Sequence, residues 1–167
     1  MTARSEQYLL KGFVELDEAI FIESGENANA LVAVSLEEET GHPKYVRFQV
    51  VENMKAVTLE SVALSFMDAY SEDIATDAHP SHNNLRKYFN EHISCKQEKP
   101  SDAAQYLPWV HILISNAKRF INGTHHAVNH LQGYLEEFSW RFNRRFCDPF
   151  HRMPVTSISY NPSYRFQ

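Results

Sequence analysis

Apolar and polar positions change their period along this chain, and the changes divide it into elements. From Gly12 to Ile22, GFVELDEAIFI, strand formers alternate around Phe13 and Val14. Ser24-Gly25-Glu26-Asn27 reads as a turn. Ala30 to Leu36 is a near-continuous apolar run, and Glu37 to Pro43 an acidic turn. In Tyr45 to Val51, Val46, Phe48 and Val50 alternate with polar partners. Three strands with such short turns predict an antiparallel meander. The period then lengthens. Met54 to Tyr70 predicts a helix with Val57, Leu59, Val62, Leu64, Phe66 and Met67 on a broad apolar face. A short strand, Asp73 to Thr76, ends at Asp77; a short helix follows over Pro80–Asn90, then a short strand over His92–Cys95. Gln97 to Asp102 is a polar loop. Pro108 suits a first helical turn, Trp109, Leu113, Phe120 and Ile121 form an apolar stripe, and Gly123 suits a helix stop. A second helix runs from about His130 to Phe146, with Leu131, Tyr134, Leu135, Phe138 and Phe142 at helical spacing. Residues 1–11 are a polar lead-in and 149–167 an irregular, Pro-containing tail.

The chain has 167 residues, 43% hydrophobic and 22% charged, which suits one folded domain with a sizeable core. No apolar run approaches the roughly 18 residues of a membrane span, and the start is too polar for a signal peptide. Cys95 and Cys147 lie far apart and form no C-x-x-C pair, which excludes a zinc ribbon and predicts two free thiols in a reducing compartment. His79 and His82 lie close together, but no second cluster has zinc-ligand spacing. The net charge of −5 hides an asymmetry: residues 1–110 hold 9 Lys/Arg against 18 Asp/Glu, and residues 111–167 hold 7 against 3. An acidic half suits metal binding and a basic half suits phosphate.

Two acids stand out by position. Asp17 sits among Val14, Leu16, Ile20 and Phe21, where a buried carboxylate is costly unless a cation offsets it. Asp77 ends a short strand, a place that equally suits a turn former or helix cap. Glu18 follows Asp17 and points to the opposite face of a strand, which suits a structural role or a partner such as an arginine. Glu137, Arg141 and Arg144 form one helical row at i, i+4 and i+7, readable as a solvated face or as a pair orienting a guanidinium.

The stretch from Trp109 to Arg145 closely resembles the end of the catalytic domain of ISXO-type insertion-sequence transposases of the DDE superfamily. The residues that carry the resemblance are Trp109-Val110-His111, Ser115-Asn116-Ala117-Lys118-Arg119, Asn122-Gly123-Thr124, Tyr134 to Phe138 and Trp140 to Arg145, and it extends back to Asp17-Glu18. It implies a ribonuclease-H-like fold over residues 12–148, with a mixed sheet of three antiparallel and two shorter strands flanked by helices. The first strand would lie mid-sheet beside the fourth, bringing Asp17 and Asp77 together.

The resemblance further implies two-metal cleavage and transfer of DNA strands, with Mg²⁺ or Mn²⁺ held by Asp17, Asp77 and Asn116 and with Lys118 on a phosphate. Such chemistry needs carboxylate or amide oxygens that converge on one point. Asn116 and Lys118 also read as ordinary polar and solvated helix residues; two apart, they point roughly 200° from each other on a helix. Glu18, His111, Arg119, Glu137, Arg141 and Arg144 are implied as supporting or phosphate-binding residues. DNA is the implied partner, a homodimer or higher oligomer the implied assembly on it, and a bacterial cytoplasm the implied location, without a membrane.

Two family features are missing. Residues 1–11 are too short for the zinc ribbon or helical DNA-binding part that usually precedes the domain, which leaves binding to the element's terminal repeats open and admits a separate catalytic fragment with a separate DNA-binding polypeptide, a decayed element or a truncated reading frame. Ile22-Glu23-Ser24-Gly25 holds one glycine where the family tends to have a pair. These departures keep a second reading open: a DNA-binding or interaction module, derived from a transposase, with weak or no catalysis.

Overall fold

The computed structural model describes residues 9–67, 72–95, 106–124 and 128–146. The tail, the first eight residues of the lead-in, Cys147, the whole polar loop and the end of the predicted first helix lie outside the described residues. The chain begins with the meander that alternation predicts: β1 (Phe13–Glu23), β2 (Glu26–Leu36) and β3 (Pro43–Val51). β2 starts four residues before its apolar run. Ser24 and Gly25, with φ of 51° and 85°, join β1 and β2 in a two-residue turn of the kind hairpins favour. That turn fixes the register Glu23↔Glu26 and carries polar Glu26, Asn27 and Asn29 into the ladder.

Helix α1 (Ala56–Phe66) is shorter than predicted, and the backbone turns extended at Met67. Strand β4 (Asp73–Asp77) follows, then the expected short helix, of 3₁₀ type and ending sooner (Pro80–Lys87), then β5 (Glu91–Cys95). Pro80 opens the 3₁₀ helix, and the Ser, His and Asn that follow are weak α-formers whose side chains bond locally instead. Helices α2 (Pro108–Thr124) and α3 (Leu131–Asn143) close the described chain.

The sheet order is β3-β2-β1-β4-β5. β1 lies in the centre, antiparallel to β2 and parallel to β4, and β5 runs parallel to β4. This is the mixed, ribonuclease-H-like sheet that the element order implies. Each face carries its own core. Ala19, Phe21, Val32, Val34 and Phe48 pack under Leu113, Ala117 and Ile121 of α2 and Leu131 and Leu135 of α3. Val14, Leu16, Leu31 and Ile74 pack under Leu59, Ala63 and Phe66 of α1 and Leu85 of the 3₁₀ helix. Each large apolar side chain so buried contributes roughly 1.5–3 kcal/mol. Leu10, read as part of a polar lead-in, belongs to this second core: it is fully buried and bridges Met67 in parallel. The odd positions of β1 from 15 to 21 therefore face α2, and the even ones face α1 and the 3₁₀ helix.

Candidate active site

The β1–β4 ladder runs from Phe13↔Asp73 to Leu16↔Thr76. Asp17 and Asp77 come next on the two strands, which in a sheet lie about 4.8 Å apart. Each therefore projects from the point where backbone pairing between the strands stops. The Asp17 carboxyl is pushed up to about 7, first by burial and then by the neighbouring Glu18 and Asp77 charges, against the Glu18 N–H and His82, which act the other way. The Glu18 N–H donates to Asp17 Oδ1 at 2.9 Å.

Glu18 lies on the opposite face, as alternation requires, but its partners are not an arginine. His82, buried to 1% exposure, sets its Nε2 2.9 Å from Glu18 Oε2 and 3.3 Å from Asp77 Oδ1. Ser81 Oγ donates to Glu18 Oε1 at 3.3 Å. Burial alone would lower the His82 pKa; the bonds to Asp77 and Glu18 outweigh it and raise the imidazole to about 9. The same contact, with the His79 N–H, holds Asp77 below the usual carboxylate range in spite of burial. His82 is thus an imidazolium between two carboxylates. No spacing in the sequence points to this role, because His82 and Glu18 are 64 positions apart and the 3₁₀ turn after Asp77 folds one back onto the other. His79 caps that turn, with Nδ1 2.6 Å from Ser81 Oγ.

Helix α2 brings the third set of groups, and each residue of Trp109-Val110-His111 has its own contact. Trp109 Nε1 donates to Gly41 O in the β2–β3 loop at 2.8 Å. The Val110 N–H donates to Glu15 Oε2 at 2.7 Å. His111 Nδ1 lies 3.4 Å from Asp17 Oδ2. Burial lowers the His111 imidazole, only partly opposed by Asp77, so at neutral pH it meets Asp17 as a neutral ring.

The remaining expected residues lie further along. Asn116 is exposed on α2, and the helical repeat sets it about 140° around from His111. No described contact joins it to Asp17 or Asp77. Lys118 is exposed, with Nζ 5.7 Å from the centroid of Phe21, four residues beyond Asp17 on the same face of β1. Arg119 is exposed beside it. On α3, Arg141 pairs with Glu137 at 2.6 Å and stands over the Phe120 ring of α2, while Arg144 stands over Trp140. The structure thus gathers Asp17, Asp77, Glu18 and His111 at the β1–β4 junction and sets Asn116, Lys118 and the α3 row along the two helices.

The donor chemistry fits a hard divalent cation. Carboxylate oxygens of Glu18 and Asp77 and an imidazole nitrogen of His82 lie within 4.8 Å of one another, and Asp17 adds a further carboxyl; with His82 held as an imidazolium, the atoms that can ligate a cation are the carboxylate oxygens. A cation beside Asp17 would offset the burial, and the smaller push of the Glu18 and Asp77 charges, that keep its carboxyl high.

In sequence, the profile of the ISXO2-like transposase domain matches residues 9–143. No curated protein matches the chain. Among solved structures, the catalytic core domain of BIV integrase is similar over 88% of this chain and 98% of its own, with a TM-score of 0.53 at 14% identity. A chain of the simian T-cell lymphotropic virus intasome is similar over 96% of this chain and 59% of its own, with a TM-score of 0.58 at 13% identity. The HTLV-2 integrase catalytic core domain in complex with magnesium is similar over 81% and 87%, with a TM-score of 0.51 at 11% identity. At these identities the likeness is one of fold.

Proposed function

The chain belongs to the ISXO2-like transposase domain family, and on that premise we propose that it is the catalytic domain of a metal-dependent DNA transposase. Water cleaves a phosphodiester at an element's end, and the freed 3′-hydroxyl then attacks a phosphodiester of target DNA, joining the element's 3′ end to it and releasing the target strand's own 3′-hydroxyl. The observation that supports this most directly is the meeting of Asp17 and Asp77 one residue past the last β1–β4 pair, with the Asp17 carboxyl raised to about 7.

Bound Mg²⁺ or Mn²⁺ would supply charge relief on the phosphate and an activated nucleophile at neutral pH. Asp17 and Asp77 would hold it, with Asn116 as a neutral oxygen donor. The HTLV-2 core, which shares the fold, is described with magnesium, which favours that ion. His82 and Glu18 clamp Asp77 from the opposite face of the sheet and fix the direction of its carboxylate. His111 shields Asp17 from solvent on the α2 side. Lys118, Arg119, Arg141 and Arg144 supply positive charge along α2 and α3 for the DNA backbone. The partner is DNA, bound by a homodimer or higher oligomer in a bacterial cytoplasm. No helix among the described residues is long and apolar enough to cross a membrane.

The test is nicking of supercoiled DNA with Mn²⁺ or Mg²⁺. The wild-type protein nicks; Asp17→Ala and Asp77→Ala do not. Activity that survives both substitutions removes the reading. One observation favours a second reading, a DNA-binding module without cleavage: Asn116 is exposed and has no described contact with either aspartate. That reading predicts no heat of Mn²⁺ binding, and a signal abolished by Asp17→Ala would end it.

A further inference from the structure

Glu15 is the most deeply buried acid among the described residues, at 2% exposure, and the chemistry above makes no use of it. It lies on β1 two residues before Asp17 and on the same face. Its Oε2 accepts from the Val110 N–H at 2.7 Å, and the Trp109 N–H also bonds its carboxyl. Pro108 opens α2 and has no N–H, so Trp109 and Val110 hold the first free donors of that helix. A carboxylate from a strand 95 residues away thus takes the place of the helix's own N-cap side chain. The site contact follows directly on each element: after Val110 comes His111, and two beyond Glu15, on the same face, lies Asp17, 3.4 Å apart at Nδ1 and Oδ2.

The geometry points to Glu15 as a positioning residue: it locks the start of α2 onto β1 and so sets the helix that carries His111, Asn116 and Lys118 in register with Asp17. This rests on the metal-dependent reading for its consequence, though not for its contact. Without the acceptor, two buried N–H groups lose their partner, and α2 is free to slide or tilt along β1.

Two substitutions separate the acceptor from the volume. Glu15→Gln keeps an oxygen of the same reach; Glu15→Leu fills the space without one. Amide hydrogen exchange on the full chain reads the cap, and Mn²⁺ calorimetry with DNA nicking reads the register. The Val110 amide exchanges as slowly as the β1 core in the wild type and in Glu15→Gln, and fast in Glu15→Leu. Mn²⁺ affinity falls about 10–100-fold in Glu15→Leu, the loss typical of groups that orient metal ligands. In that variant kcat for nicking falls while KM for DNA holds, and Glu15→Gln restores most of both losses. A fast-exchanging Val110 amide in the wild type overturns the proposal, as does a folded Glu15→Leu protein with wild-type Mn²⁺ affinity, or a Gln variant as impaired as the Leu one. If Glu15→Leu does not fold, the wild-type exchange and the Gln variant decide. A wild type that shows no Mn²⁺-dependent nicking defeats the transposase reading instead, and the exchange result still judges the cap.

Discussion

The β1–β4 junction and the seam between α3 and β3 both carry residues of the resemblance, and they treat polar groups in opposite ways. β3 is an edge strand, whose outward N–H and C=O groups would otherwise be open to another chain. Asn143 closes Val46 on both sides, accepting from its N–H at 2.8 Å and donating to its carbonyl at 3.0 Å. Gln132 accepts from the Val50 N–H at 2.8 Å and donates to Phe48 O at 3.3 Å. Arg145 donates to the carbonyls of Pro43, Lys44 and Phe142, tying the end of α3 to the start of β3. Here two side-chain amides and one guanidinium meet backbone groups, with no buried carboxylate among them. At the junction, Asp17, Glu18 and Asp77 crowd together with a single imidazolium between two of them. The comparison separates two uses of sequence that look alike in a motif. One seals an edge, and the other accumulates negative charge that a cation would relieve.

The largest effect expected from pulling the two apart is at Asp17. Asp17→Asn weakens Mn²⁺ binding by more than about 100-fold, beyond the loss expected of outer partners. At pH 8 in chelator the same change raises the melting temperature, because it removes a buried carboxylate held at unfavourable pKa. Asn143→Ala does the reverse: it lowers stability by about 1–3 kcal/mol through two lost edge bonds and leaves Mn²⁺ affinity unchanged. Denaturant titrations and calorimetry on both variants would read this crossing pattern. A stabilised Asn143→Ala or a destabilised Asp17→Asn would break the comparison.

Acidity sharpens it next. Asp17 and Glu15 both rise to about 7, from 3.8 and 4.5, mainly by burial. The folded chain then binds more protons than the unfolded one between those values, so stability falls as pH climbs through that window. His82, raised to about 9, adds stability in full below its unfolded value of 6.5 and loses it as pH passes 9. All three act in one direction. Melting of the metal-free chain is expected to drop steadily from pH 5 to pH 9, and Mn²⁺ is expected to restore it most at the alkaline end, where Asp17 is ionised. A flat profile would count against carboxyls buried this way.

The smallest effect is at Arg141. Its exposed i, i+4 pair with Glu137 is worth about 0.2–0.5 kcal/mol. Arg141→Ala should scarcely move stability, and a loss of DNA affinity in a salt-dependent binding assay would mark it as a phosphate contact.

How far the sequence discloses all this depends on the range of the interaction. Periodicity sufficed for β1, β3, β4, α2 and α3, because one buried face imprints its repeat locally. The first half of β2 was hidden, since Glu26, Asn27 and Asn29 join the ladder through the register set at Ser24-Gly25, not through hydrophobicity. Asp17 and Asp77 were legible, the first by its apolar setting and both by resemblance. Glu15 was within reach, since alternation alone sets it on the face of Asp17. The embrace of Glu18 by His82 was not, because no spacing rule links positions 18 and 82. Nor does a polar row on a helix reveal that Asn143 and Gln132 complete a strand edge, for which the partner strand must be known.

Pairing between β1 and β4 stops at Leu16↔Thr76, one step short of the two aspartates. An ion gripped by both would act as one more rung where the peptide ladder has run out. It would close a loop of about 60 residues with a tie that forms and releases with free metal concentration. At one hundred times its dissociation constant, such a ligand adds about 2.7 kcal/mol to the folded state. On the proposed function, the ion that assists cleavage would then also be a fastener for the sheet, and its supply would govern how long the folded chain persists.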